Sequence, residues 1–526
     1  MLHNFPFYLT IIVVILLLIM LADKVRVAYP VLLVLAGLGI SFIPGIPTLH
    51  IESDLIFILF LPPLLYEAAW SISWKELWKW RRIISSFAFL VVFFTAFSVA
   101  LVANHFIPGF TLALGFLLGG IVSPPDAVSA GSILKFVKVP RRFSSILEGE
   151  SLLNDASSLI VFRFALIAAA TGQFVWHEAA LSFSWMVLGG GGIGVGVGYI
   201  IMKLHKFLPT STDADMVISL ITPYIMYIAA EELHSSGVLA VVCGGLLLSN
   251  NRLAFLSSSS RLKGVNVWES LSFVLNGLVF MFIGLDLPQI TSGLQDTGIG
   301  LLPAISYGLL ITLVLVLARM ISAYAAVVVT LIARNYIKVA DTANPGYKTP
   351  FILGWAGMRG VVSLAAALSI PVRLDDGSAF PQRNLILFIT FIVILTTLIL
   401  QGLTLPWLIK KFEIPDPDYV MPEEDMYNRV RKELSTEALS YLKEHYSTQL
   451  NDQPVLQQIA AKWEAATSAE DTDAVMDNAA KEIYRDLLNK QRSLLIAKNK
   501  TENIDEDIVR RHLLYLDIEE EKLTLL

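Results

Sequence analysis

Up to about Phe412, apolar runs near the length of a bilayer span follow one another almost without interruption, separated by short polar connections. The pattern predicts thirteen helical segments, at 6–22, 27–43, 52–72, 83–106, 110–136, 145–171, 180–204, 214–232, 235–250, 267–288, 300–333, 349–371 and 383–410. Basic residues test that count. One set of alternating connections holds Lys24 and Arg26; Lys75, Lys79, Arg81 and Arg82; Lys135, Lys138, Arg141 and Arg142; Lys203 and Lys206; Arg252, Arg261 and Lys263; Arg334, Lys338 and Lys348. The other set holds only Arg373 and Arg383. By the positive-inside rule the N-terminus is expected outside and the C-terminus in the cytoplasm, and a wrong count would scramble the alternation. Twelve spans remain the alternative, because the eighth and ninth segments are short. The expectation is an all-α polytopic protein of the cell membrane, with the bilayer as its first partner.

Two segments are interrupted. The fifth, "TLALGFLLGGIVSPPDAVSAGSILKFV", carries Pro124 and Pro125 in mid-span, followed at once by Asp126. Proline removes a backbone donor and clashes with the preceding turn, so the helix has to open there. Open backbone at membrane depth is tolerated only inside protein or beside a water-filled cavity. The twelfth, "TPFILGWAGMRGVVSLAAALSI", is weakened by Gly354, Gly357 and Gly360, with Arg359 among them. Five and twelve differ by an odd number, so the two broken helices run in opposite directions. That is the mark of an inverted repeat, with the seventh span as linker and a transport site at the midplane.

The sixth segment contains "ILEGESLLNDASSLIVF", where carboxylates stand in an apolar run. Such groups are expensive in a membrane and usually functional. Glu150, Ser151, Asn154 and Asp155 share one helical face. At about 1.5 Å per residue, Asp155 lies about 15 Å beyond Ser145, near the bilayer centre. With Asp126 at similar depth, two carboxylates, a hydroxyl, an amide and freed backbone carbonyls make an oxygen cage of the kind that hard cations take. With no His or Cys beside them, zinc or copper is not expected. Glu150 is expected to pair with Arg319 of the eleventh span as scaffolding, since a buried charge needs a partner. Arg359 is expected to neutralise the crossing point of the broken helices. Arg163 is left between a pore role and an interfacial anchor. Glu67 and Asp286 read as structural or interfacial groups, Glu231 and Glu232 as a solvated edge or cation collectors, and Glu148 as incidental.

Composition adds less. Hydrophobic residues make up 55% of the 526. Residues 413–526 hold 14 Lys and Arg against 25 Asp and Glu, a net of −11, which leaves the membrane part at +5. The chain therefore divides into a transmembrane part, 1–412, and an acidic tail, 413–526. Helical spacing in "NRVRKELSTEALSYLKEHY" and "AAKEIYRDLLNKQRSLLIAKNK" makes the tail a small helical regulatory or assembly domain, or a loose tail with a few helices. Its acidic end, "YLDIEEEKLTLL", reads as a solvated terminus. Cys243 alone supports no disulfide framework. The first apolar run lacks a basic n-region and cleavage site, so it reads as a span rather than a signal peptide. The glycines from Gly189 to Gly198 lie within a span and are expected to admit a close helix neighbour, not a nucleotide.

"GESLLNDA" (149–156) resembles the signature of sodium/proton exchangers of the monovalent cation:proton antiporter family. "GWAGMRGVVSLAAAL" (354–368), "ELHSSGVLAVVCGGLL" (232–247), "FMFIGLDL" (280–287) and "LTTLILQGLTLPWL" (395–408) are similar to further family segments, in family order. The resemblance covers roughly 5–412. It implies a homodimer with a mobile six-helix core, Asp155 as the residue for which cation and proton compete, and Asp126, Ser151 and backbone carbonyls near Pro125 as further ligands. It also implies the Glu150–Arg319 pair. Where many members have Thr before the aspartate of the fifth span, this chain has Pro125, so a hydroxyl ligand is missing. Asn154, where electrogenic relatives carry a second aspartate, implies one proton per cation. The expected activity is exchange of Na+, Li+ or K+ for H+, with no cofactor, no enzymatic reaction and no nucleic acid. A cation channel or a sensor keeping the fold is the other reading. An intramembrane aspartyl protease is disfavoured, because "LLND" and "SPPD" lack a glycine-rich approach to the aspartate.

Overall fold

The computed structural model describes residues 5–43, 58–137, 139–172, 176–208, 210–295, 299–334, 346–374, 377–413, 423–468, 478–501 and 506–525. Among these there is no β-strand, only an isolated antiparallel bridge between Arg373 and Ala379. The chain divides into two units, Met1–Asp418 and Tyr419–Leu526.

The first unit contains α1 (Phe5–Val25), α2 (Tyr29–Ser41), α3 (Leu61–Ser71), α4 (Trp74–Phe106), α5 (Leu112–Val122), α6 (Ala127–Leu134), α7 (Arg141–Thr171), α8 (Trp176–Phe207), α9 (Thr212–Glu232), α10 (Gly237–Phe255), α11 (Ser258–Leu285), α12 (Leu287–Gln295), α13 (Leu301–Ala333), α14 (Lys348–Trp355), α15 (Val361–Leu368) and α16 (Arg383–Phe412). Among the described residues, nine helical stretches are long and apolar enough to cross a membrane, with α5 and α6 counted as one and α11 and α12 as another. The other predicted spans are α1, α2, α3 and the pair α14 and α15. The start of the third span, 52–57, lies outside the described residues. In its described residues, each expected segment is a helix or a broken helix.

The starts of these helices are written locally. Ser73, Thr111, Ser211, Ser236 and Ser257 each cap a helix by accepting a backbone N–H two or three residues into it. Ser73 and Glu76 have the spacing of a capping box, and here the fourth span begins earlier than its apolar run. Lys75, Lys79, Arg81 and Arg82, expected in a connection, form an amphipathic first part of α4. Trp74 and Trp78 are exposed on it, whereas Trp80 is buried. Within α4, Ser86–Val91 is a π-helical stretch, and the Ser157 hydroxyl of α7 donates to its Ala88 carbonyl.

The glycine run works as a packing face. A side chain at Gly190 would come within 2.6 Å of the Ser236 carbonyl, and one at Gly194 would strike the Ala240 carbonyl of α10. Small residues let the two backbones meet. A large buried cluster joins residues of α1, α2, α5, α7, α11, α15 and α16, and a second one joins α3, α7, α8, α9 and α10. Large apolar side chains such as Leu188, Leu302 and Ile321 stay exposed, as suits lipid-facing positions.

The second unit has α17 (Glu423–His445), α18 (Ser447–Asp452), α19 (Pro454–Ser468), α20 (Asn478–Thr501) and α21 (Glu506–Leu525). The two stretches read as helical in the tail fall in α17 and α20. Lys443 of α17 bonds Glu464 of α19 at 2.7 Å. Leu488 and Leu516 are buried between α20 and α21, beside an Arg492 that pairs with Asp517 at 2.7 Å and Glu520 at 2.5 Å.

Candidate functional site

The proline pair ends α5, and Asp126 restarts the helix as the N-cap of α6. Its Oδ1 accepts from the Val128 N–H at 3.1 Å, and its Oδ2 from the Ser129 N–H at 3.3 Å and the Ser129 hydroxyl at 2.5 Å. This is the bonding a carboxylate anion takes at a helix N-terminus. The Asp126 N–H donates to the Met358 carbonyl at 2.7 Å, which ties one break to the other.

The second break runs from Ala356 to Gly360. Two of its glycines are required by close approach, not only by loss of helicity. A side chain at Gly357 would sit 2.5 Å from Arg319 Cδ, and one at Gly360 would strike the Asp126 carboxylate. Arg359 is buried at the crossing. Its Nε donates to the Val122 carbonyl at the end of α5 at 2.6 Å, its Nη1 donates to the Gly357 carbonyl, and its N–H donates to the Thr397 hydroxyl at 3.2 Å. The guanidinium thus meets the carbonyl end of one half-helix and the open turn after the other, where partial negative charge collects.

Helix α7 lies against both breaks. Ser151 Oγ accepts from the Ala127 N–H at 3.1 Å, and Asn154 Nδ2 donates to the Pro125 carbonyl at 3.3 Å. Among the described residues, Asn154 Oδ1 is buried with no hydrogen-bond partner. Asp155 is 7% exposed and within electrostatic range of Asp126. Among the described residues no hydrogen bond reaches the Asp155 carboxylate; beyond the regular helix bonding, the Asp155 carbonyl accepts from the Ser158 hydroxyl at 3.0 Å. One turn earlier, Glu150 is clamped by Arg319 through Nη1 to Oε1 at 2.6 Å and Nη2 to Oε2 at 2.9 Å. The Phe87 ring lies 5.9 Å below that guanidinium.

All the residues singled out in the polar set, Pro125, Asp126, Glu150, Ser151, Asn154, Asp155, Arg319 and Arg359, therefore meet around the two breaks. Arg163 pairs at 2.5 Å with Glu231, whose other oxygen accepts from the Gly237 N–H at 3.1 Å, so both belong to a link between α7 and the α9–α10 turn. Asp286 caps α11 and lines a small cavity with Phe60, Val361 and Leu364. Glu67 lies within electrostatic range of Glu148 and of Glu269, a residue the sequence reading passed over. It also passed over Ser129, which the Asp-x-x-Ser spacing after the proline pair announces as a capping partner, and Thr397, which nothing local announces.

Two helices broken at facing points, with an aspartate and an arginine in the breaks, define a polytopic transporter fold. Residues 10–411 match the sodium/hydrogen exchanger transmembrane family, and the chain belongs to it. It is 37% identical over 393 residues to a sodium, potassium, lithium and rubidium/H(+) antiporter of Bacillus subtilis, covering 72% of this chain. That alignment spans 57% of the Bacillus protein, a little over half its length. It is 30% identical over 518 residues to an uncharacterized Na(+)/H(+) exchanger of Mycobacterium tuberculosis, covering 96% of this chain and 93% of that one. Its fold is that of the sodium proton antiporter MjNhaP1 of Methanocaldococcus jannaschii, with TM-score 0.61 at 19% identity, over 78% of this chain and 98% of that one.

Proposed function

We propose that the protein is a secondary active transporter that exchanges Na+, Li+ or K+ for H+ in a one-for-one, electroneutral cycle, with cation and proton competing for Asp155. The observation that carries this reading is the uncommitted Asp155 carboxylate beside Asp126, enclosed in protein at the helix breaks. A carboxylate in a dry interior is stable only when neutralised, by a proton or by a cation. Either occupant lets the core move between its two open states, whereas the bare anion would carry a large desolvation cost. That difference couples the two fluxes.

The other oxygens have separate duties. Asp126 gives most of its lone pairs to the α6 cap and keeps some for a cation. Asn154 Oδ1, buried and without a hydrogen-bond partner among the described residues, supplies a neutral oxygen, while its amide holds the Pro125 carbonyl in place. Ser151 is spent in part on the Ala127 N–H. Hard monovalent cations suit such an all-oxygen set. The Glu150–Arg319 pair and Arg359 are scaffolding and balance charge at the crossing. Membership of the exchanger family supports exchange over a channel or a sensor. The alternation of basic connections supports a cell-membrane protein with its N-terminus outside and its tail in the cytoplasm. The family resemblance supports a homodimer.

The test is Na+-driven proton movement in everted vesicles with a pH-sensitive dye, for wild type and Asp155→Asn. Activity in the wild type that vanishes in the variant supports the reading. Exchange that survives Asp155→Asn removes Asp155 as the shared site. A wild type silent with Na+, Li+ and K+ from about pH 6 to pH 9 returns the sensor reading.

A further inference from the structure

Away from the crossing, a cavity of about 90 Å³ opens between α4, α7, α13 and α14. Its wall is apolar, with Trp80 and Phe87 of α4 and Ala326 of α13 among the lining residues. At the end where α7 begins and α13 stops stand Arg142 and Arg334, with Thr330 and Thr349 also in the lining. This end belongs to the set of basic connections, and the amphipathic start of α4 adds Lys79 and Arg82 close by in sequence, beside exposed Trp74 and Trp78. The acid on that stretch, Glu76, accepts from the Trp80 indole at 3.0 Å.

We propose that this cavity is a binding site for a phospholipid with an anionic headgroup, one acyl chain lying along Trp80, Phe87 and Ala326 and the phosphate meeting Arg142 and Arg334. The charge argues for the head: guanidinium donors fit phosphate oxygens, and basic pockets between spans on one face of a membrane hold acidic lipids. The shape argues for the tail, because an apolar groove between spans is filled by hydrocarbon rather than water. The Thr330 hydroxyl already donates to the Ala326 carbonyl at 2.8 Å, so the headgroup rests on the two guanidiniums.

The position gives the lipid leverage. Phe87 is both a wall of the cavity and the ring beneath Arg319, which holds Glu150 one turn from Asp155. Pro350 and Leu353 of the broken half-helix α14 form another wall. A lipid seated here buttresses the scaffold of the crossing without touching the carboxylates. Only the folded chain has this cavity, so occupancy stabilises it by mass action.

The experiment is thermal unfolding of the full chain in detergent, with added phosphatidylglycerol, phosphatidylcholine of the same acyl chains, or inorganic phosphate. Phosphatidylglycerol is expected to raise the midpoint by about 3 °C or more over phosphatidylcholine. Inorganic phosphate is expected to give no rise. Arg334→Gln, at an exposed helix end, and Ala326→Trp, which fills the groove, are each expected to remove at least half of the shift. Equal shifts with both lipids, a shift reproduced by phosphate alone, or a full shift surviving in either variant overturns the proposal.

Discussion

Arg319 and Glu150 meet through two parallel hydrogen bonds at 2.6 and 2.9 Å, with side chains only 3% and 1% exposed. A pair this deep is held together by the absence of any alternative: neither charge can reach water. Removing one partner strands the other, at a cost of about 3–5 kcal/mol. Arg319→Ala is therefore expected to lower the thermal midpoint sharply. The double change Glu150→Leu with Arg319→Met leaves no charge behind and is expected to recover most of the loss. A double variant no more stable than Arg319→Ala would show that lost packing at Gly357 and Phe87, not a stranded carboxylate, sets the cost.

Gly360 has no room for a methyl group, because the Asp126 carboxylate occupies that space, whereas a methyl at Gly131 in the same half-helix as Asp126 meets nothing within 4 Å. Gly360→Ala must push Asp126 off its cap on α6. Exchange is expected to fall at least about tenfold, since a misplacement of about 1 Å at a site can cost about a hundredfold. Gly131→Ala is expected to leave transport unchanged and to add a few tenths of a kcal/mol of helix stability. Both are read from the initial rate of dye response at equal protein amount. Equal rates in the two variants would mean that the Asp126 cap does not shape the transport site.

The sequence carried most of this architecture because membrane spans are announced by length and the site by expense. Pro124, Pro125 and Asp126 in an apolar run had to be a break, and a buried Glu150 had to find Arg319. What stayed hidden depends on which backbones touch. Gly357 and Gly360 read as weak points in a helix, yet their nearest neighbours are Arg319 and Asp126, from two other helices. Arg163 stays open in the sequence because its partner, Glu231, is 68 residues away at the end of α9, where it reads as a solvated edge or a cation collector. The early start of α4 is hard to see in the sequence because its charges resemble a connection, whereas a capping Ser73 and a tryptophan face make them one side of a surface helix.

Arg163 and Glu231 sit at the opposite extreme from Glu150 and Arg319. Their side chains are 38% and 30% exposed, and water can replace either partner. Pairs of this kind contribute at most about 1 kcal/mol. Glu231→Gln also keeps an oxygen for the Gly237 N–H. The thermal midpoint of Glu231→Gln is expected to stay within about 1–2 °C of wild type. A larger drop would identify the link between α7 and the α9–α10 turn as a structural tie of the core kind.

The proposed competition for Asp155 makes a definite prediction for the pH response of transport. When one proton and one cation exclude each other, each unit of acidification below the site's own proton affinity raises the apparent KM for Na+ by about tenfold and leaves the maximal rate in place. Above that point the apparent KM is flat. The Asn154 amide beside Asp155 brings no second titrating group, so a plot of log KM against pH is expected to rise toward acid with a slope of about one. The measurement is Na+-dependent proton release from liposomes at a series of internal and external pH values held equal before each pulse. With the potential clamped by K+ and valinomycin, imposing a voltage is expected to leave the rate unchanged if one charge crosses each way. A slope near two, together with a voltage-sensitive rate, would mean that a second carboxylate exchanges its proton in the cycle, and Asp126 is the group that would supply it.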